Sequence, residues 1–280
     1  MTNTLWRTCL CLALLAGPSA AFAFSNAVVF QNGPAFIINQ ETLPSGYASA
    51  ELGGGGTDGA GSYSYVGSAY ADTAHGSLGV ATTATGTGYA FTNDRLTVHA
   101  EADFAGALTF SSQGLITFRL AVQGSFASVF GGQMSSFASL TVPGFTNRAR
   151  TFWRGGSSAL TINVPAAAVI SDAPSNYIVW LEGALEVPAG FPVPVSAHLD
   201  VFVTPPVDGT AQALFNHTAQ LYLFMPQGMT YTSDSGDFLS DVSAVPEPSI
   251  AWMLAGGLLA GFLVRRRAAA HSAGPRRHVQ

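Results

Sequence analysis

From Arg95 to Phe104 apolar and polar side chains alternate without a break. Leu96, Val98, Ala100, Ala102 and Phe104 fall on one side, with Arg95, Thr97, His99, Glu101 and Asp103 on the other. A period of two sets successive side chains on opposite faces of a pleated strand, whereas a helix repeats its apolar residues every three or four positions. The stretch therefore predicts a strand with one face in a core and one in water. The pattern recurs from Val195 to Val203, where Ala197, Leu199, Val201 and Val203 point inward and Ser196, His198 and Asp200 outward. It returns from Ala149 to Arg154, where Ala149, Thr151 and Trp153 oppose Arg150, Phe152 and Arg154. No window between Phe24 and Ala244 keeps a helical period, so no helix longer than about ten residues is expected there.

Further runs read as strands. Ala27 to Ile38 is a pair broken at Asn32-Gly33-Pro34, followed by Ser62 to Tyr70, Ser77 to Thr85 and Thr87 to Phe91. Leu115 to Val122 and Ser125 to Phe130 are separated by Gly124, and Ala159 to Val164 ends at a proline. Tyr177 to Val187, with Trp180 inside it, is apolar enough for a central strand, and Gln212 to Met225 is the longest candidate. Gly53 to Gly56 predicts a flexible loop, because four glycines have the most backbone freedom to lose. Prolines at 188, 192, 194, 205 and 206 punctuate the second half and discourage edge pairing. Many short strands between turn signals predict an all-β chain, a β-sandwich of jelly-roll-like kind.

The two ends read differently. Arg7, an apolar run from Cys9 to Ala16 and the small-x-small triplet Ala21-Phe22-Ala23 compose a signal peptide over residues 1–23, cut after Ala23. Both cysteines lie within it, which excludes disulfides and thiolate metal sites from the remainder. At the other end Val245-Pro246-Glu247-Pro248 precedes an uncharged run of fifteen residues, Ile250 to Val264, and then Arg265, Arg266 and Arg267. Val245 and Glu247 each precede a proline, so the tetrapeptide is stiff and extended, a shape suited to an enzyme groove. The apolar run makes a helix of roughly 22 Å, short of a ~30 Å hydrocarbon core, so it anchors marginally with help from the arginine stems. The arginine cluster keeps its own end in the cytoplasm. Residues 268–280 continue as a basic tail carrying Arg276 and Arg277.

In that order, Pro-Glu-Pro, short apolar helix and arginine cluster resemble the PEP-CTERM sorting signal of exported bacterial proteins. The resemblance implies an exosortase as partner, acting at Val245, Pro246, Glu247 and Pro248. It also implies a membrane-anchored intermediate held by the C-terminal helix, and release toward an exopolysaccharide layer. The thirteen residues beyond Arg267 make a longer tail than the family pattern suggests. Two stretches of the body also resemble exported proteins of this class. One runs from AYADTAHGSLG to FSSQGLITFRLAVQGSFAS, with Asp94 ahead of a strand, and the other is the closing FNHTAQLYLFMPQGMTYTSDSGDFLSDVSAVPEPS.

The intervening body, residues 24–244, has no lysine and holds five arginines against fifteen carboxylates, a net charge of −10. Nucleic-acid binding calls for a basic face and is excluded on that ground, and the missing lysine removes P-loop and Schiff-base chemistry. No G-x-S-x-G elbow is present, and scattered acids single out no glycosidase pair, so no catalytic residue, cofactor or metal is expected. Two constellations stand out. His99, Glu101 and Asp103, with His198 and Asp200, have the chemistry of an oxygen-rich metal site, but alternation on any solvated face yields the same residues. Trp153 among Arg148, Arg150 and Arg154 would stack on a sugar and hold an acidic polysaccharide; the plainer reading is a core tryptophan with arginines outside. Thr83, Thr85 and Thr87 at period two resemble an ice-binding threonine ladder. The expectation is an exported, non-enzymatic surface or matrix protein of a Gram-negative bacterium, with a carbohydrate-binding module as the alternative.

Overall fold

The structure, a computed structural model, describes residues 23–32, 36–44, 46–58, 61–88, 96–128, 132–154, 157–163, 167–173, 176–233, 236, 238–239 and 245–246. Residues 1–22, which hold Ala21 and nearly all of the expected signal peptide, and residues 247–280, which hold Glu247, Pro248, the apolar run and Arg265–Arg267, lie outside them.

Every regular element described is a strand. In chain order they are β1 (Phe24–Asn32), β2 (Ile37–Leu43), β3 (Tyr47–Asp58), β4 (Gly61–Asp72), β5 (Ser77–Thr87), β6 (Thr97–Phe110), β7 (Gly114–Ser128) and β8 (Gln133–Val142). They continue as β9 (Phe145–Arg154), β10 (Ser157–Asn163), β11 (Ala167–Ala173), β12 (Asn176–Val187), β13 (Pro192–Thr204), β14 (Gly209–Met225), β15 (Tyr231–Ser233) and β16 (Val245–Pro246). Two sheets result. Sheet A runs β10-β9-β8-β13-β6-β1-β2, with β15 beside β6; sheet B runs β11-β12-β7-β14-β5-β4-β3, with β16 beside β14. Neighbours are antiparallel throughout except for the short parallel pair of β14 and β16.

The sheets share one core, in a sandwich-like arrangement. Val98, Ala100, Ala102 and Phe104 of β6 and Leu199, Val201 and Val203 of β13 are fully buried from one side. Ile116, Phe118 and Leu120 of β7 and Phe215, Leu221 and Leu223 of β14 are fully buried from the other. Each such Val, Leu or Phe contributes about 1.5–3 kcal/mol on leaving water. The alternation read from Leu96 to Phe104 and from Val195 to Val203 is thus the inner face of the two central strands of sheet A.

Glycine departs from expectation twice. Gly53–Gly56 is no loop; it pairs in register within β3, opposite Val66, Tyr65, Ser64 and Tyr63 of β4. The Tyr65 and Tyr63 rings lie where side chains at Gly54 and Gly56 would stand, a Cβ there meeting the phenol oxygens at 2.7 and 2.8 Å. Aromatic side chains laid over glycine from the neighbouring strand supply the cover the glycines lack. Gly124 does not separate two strands either, since β7 passes straight through it. The fully buried Phe215 ring fills its face, 2.3 Å from where a Cβ would be. β12, expected to be central, is second from the edge of sheet B.

Candidate functional site

β6 and β13 pair antiparallel in a register that sets Asp103 opposite His198, Glu101 opposite Asp200 and His99 opposite Phe202. Facing residues stand about 4.5–5.5 Å apart at Cβ, and diagonal ones remain within reach of long side chains. The two polar faces read separately from the sequence are therefore one face, on the outside of sheet A. His198 is its centre. Its Nδ1 lies 2.5 Å from Asp103 Oδ1 and its Nε2 lies 3.1 Å from Asp200 Oδ2. Glu101 Oε1 stands 3.8 Å from the same Nδ1, and His99 Nε2 lies 3.7 Å from Asp200 Oδ1.

All five side chains are only 19–25% exposed. The ring of Phe30 on β1 meets His99 edge-on at 4.4 Å, and Phe137 on β8 lies 5.4 Å from His198, so apolar walls flank both imidazoles. Polar contacts continue toward the sheet edge. Asn26 donates to Asp103 at 3.3 Å, while Thr42 and Gln40 donate to the Asn26 carbonyl at 2.7 and 3.1 Å.

Charge balance follows from this geometry. Burial opposes a charged His198, but hydrogen bonds to Asp103 and Asp200 outweigh it and push the imidazole up to about 10. Burial likewise opposes an ionised Asp200, and the hydrogen bond from His198 together with the nearby His99 overcomes it, holding the carboxyl at about 2. Glu101 goes the other way: burial, and then the neighbouring Asp103, raise it above the ordinary glutamate range. Glu101, Asp103 and His198 bring three ligand atoms within 4.8 Å of one another, the one such group of three among the described residues.

The tryptophan–arginine constellation is taken apart by the fold. Trp153 is 8% exposed and belongs to the core, while Arg148 and Arg150 point outward from the same strand. A period of two sets Trp153 and these arginines on opposite faces of the strand, so they do not share one sugar-stacking surface. Arg154 pairs opposite Gln133 in the backbone, and its side chain is outside the described residues. Among the described residues the tryptophan that reaches an outer face is Trp180 of β12, whose ring carries the Arg119 guanidinium at 4.4 Å. Arg119 also lies 4.7 Å from the Phe224 ring and bonds Glu182. Only the register of β7 between β12 and β14 assembles this group, so no local sequence pattern announces it. Of the threonine row, Thr85 hydrogen-bonds Thr210 of β14 at 2.9 Å.

The terminal elements are partly visible. Ala23, the residue before the expected cut, is buried against the core at the start of β1. Val245 and Pro246 form β16, parallel to Phe224 and Met225 at the end of β14. They take an edge of β14 that its partner β5 leaves open, since that pairing stops at Gln220 with Ser77. Proline, with no N–H to donate, suits such an edge. Among the described residues no helix is long and apolar enough to cross a membrane.

No curated protein and no solved structure matches the chain. A family model does match, over residues 244–267, and it describes the PEP-CTERM protein-sorting motif. The matched segment opens at the β16 edge and runs through Glu247, Pro248, the apolar run and the arginine cluster. With this motif following directly on an all-β body, the chain carries a PEP-CTERM protein-sorting motif at residues 244–267, the mark of an exported protein processed by an exosortase.

Proposed function

We propose that the chain is a non-enzymatic surface or extracellular-matrix protein of a Gram-negative bacterium. The C-terminal apolar helix anchors it in the inner membrane until an exosortase acts at Val245–Pro248, and the freed body then joins the exopolysaccharide layer. The reading rests on one observation: the sorting motif at residues 244–267 follows the last strands of an all-β body. Exosortase performs the covalent step, and this chain is its substrate.

The destination is tested by expressing the full chain in an exosortase-bearing host with and without exopolysaccharide synthesis. The shortened product should stay with the cell surface in the first strain and move to the soluble medium in the second. The same distribution in both strains would overturn the exopolysaccharide association.

A carbohydrate-binding body is the second reading. It is favoured by the Arg119 guanidinium between Trp180 and Phe224 on the outer face of sheet B, a pairing of flat apolar and cationic groups suited to an acidic sugar. A glycan array probed with the full-length chain tests it. Binding of acidic glycans that Trp180→Ala abolishes supports the reading, and no binding rejects it.

A further inference from the structure

The outer-face cluster gathers three carboxylates around one imidazole. Glu101, Asp103 and Asp200 surround one imidazole that hydrogen-bonds two of them, and Glu101 is left without a hydrogen bond among the described residues. The orientation of His198 is informative. Its Nε2 is held by a carboxylate, Asp200, which in turn faces His99, while Nδ1 is aimed at oxygens of two further carboxylates. An imidazole fixed by a carboxylate through one nitrogen, with the other presented to anionic oxygens, is the usual posture of a metal-binding histidine.

Distances agree. Ligands bonded at about 2.0–2.1 Å to one tetrahedral ion stand about 3–3.5 Å apart. The separations of 2.5 Å to Asp103 and 3.8 Å to Glu101 bracket that spacing, so an ion replacing the proton shared by His198 and Asp103 requires only small side-chain shifts. Imidazole with two carboxylates suits a first-row transition metal better than calcium or magnesium, which prefer all-oxygen shells. Phe30 and Phe137 keep the surroundings apolar and strengthen attraction to a cation.

We propose that Glu101, Asp103 and Nδ1 of His198 bind one divalent first-row transition-metal ion, Zn2+ being the fitting choice, with Asp200 positioning the histidine from behind. Three protein ligands leave the fourth tetrahedral position to water. The ion ties β6 to β13, the two central strands of sheet A. The assignment is independent of how the chain is sorted.

The test is calorimetric titration of the full-length chain in detergent, stripped with EDTA and exchanged into chelator-free buffer near neutral pH, with ZnCl2 and separately with CaCl2. One saturable Zn2+ per chain is expected, with Ca2+ much weaker. Glu101→Gln leaves both hydrogen bonds of His198 in place and should weaken Zn2+ roughly tenfold or more, and Asp103→Asn should do the same. His75→Gln removes an exposed imidazole elsewhere and should change nothing. Absence of saturable uptake, preference for Ca2+, wild-type affinity in a folded Glu101→Gln variant, or loss in His75→Gln would each overturn the assignment.

Discussion

His198 and Asp200 titrate in opposite senses, and together they fix a pH window for the outer face of sheet A. The folded His198 is pushed up to about 10 from 6.5, so its stabilising contribution is complete below 6.5 and is lost as pH rises through about 10. Asp200, held at about 2 against 3.8, contributes fully above 3.8 and loses that contribution as pH falls through about 2. In chelated full-length protein the pair's contribution therefore peaks between pH 3.8 and 6.5. A charge-assisted hydrogen bond of this kind is worth about 2 kcal/mol. Thermal unfolding of wild type against His198→Gln should show the gap narrowing as pH rises from 6.5 toward 10; a constant gap would refute it. Glu101 has the opposite sign: its raised titration means the ionised form costs folding energy above its ordinary range. Glu101→Gln should then stabilise the metal-free chain near neutral pH, seen as a higher unfolding temperature, while weakening Zn2+.

At the scale of strands, alternation was the readable signal and register was not. Leu96 to Phe104 reads as an inner face because nothing but a half-buried strand produces that pattern, and its inward residues are fully buried. The same pattern in Ala149–Arg154 already separates Trp153 from Arg148 and Arg150, so it carried the evidence against its own glycan groove. Which strand lies beside which is a long-range fact. Hence alternation offers His99, Glu101 and Asp103 with His198 and Asp200 as a chemically apt set, but only the pairing of β6 with β13 makes them neighbours, and a jelly-roll order has no warrant in alternation alone. β8 carries no clean alternation because Ser135 and Ser136, consecutive and both 2% exposed, interrupt the apolar period. Gly53–Gly56 and Gly124 misled because loop preference is local, whereas Tyr63, Tyr65 and Phe215 reach them from other strands. That last point is testable. Gly124→Ala puts a methyl into the ring of a fully buried residue and should cost about 1–3 kcal/mol as overpacking. Phe215→Ala alone leaves a cavity costing about 3–5 kcal/mol, and the double variant should be less destabilised than the two losses added. Strict additivity, measured by thermal or denaturant unfolding of the full chain, would show that the ring does not cover Gly124.

For the whole molecule, the sequence divides the work between a body with a net charge of −10 and a short C-terminal tag that includes Arg265, Arg266 and Arg267. Basic residues past the apolar run predict that a reporter fused after Gln280 is cytoplasmic and one fused within the body is periplasmic; the reverse would contradict the orientation. The tag meets the body at β16, where Val245 and Pro246 extend along β14. Val245 and Glu247 each precede a proline, which disfavours helical backbone at both positions. The most direct test of the account is the ratio of membrane-bound precursor to shortened extracellular product in an exosortase-bearing host. Wild type should be shortened there and not in a host without exosortase. Changing Pro246 and Pro248 together to alanine lets the tetrapeptide coil into the following helix, and Glu247→Gln removes only the charge; both should accumulate as full-length, membrane-bound chain. Wild type that is never shortened, or motif variants that mature as wild type does, would contradict the sorting account.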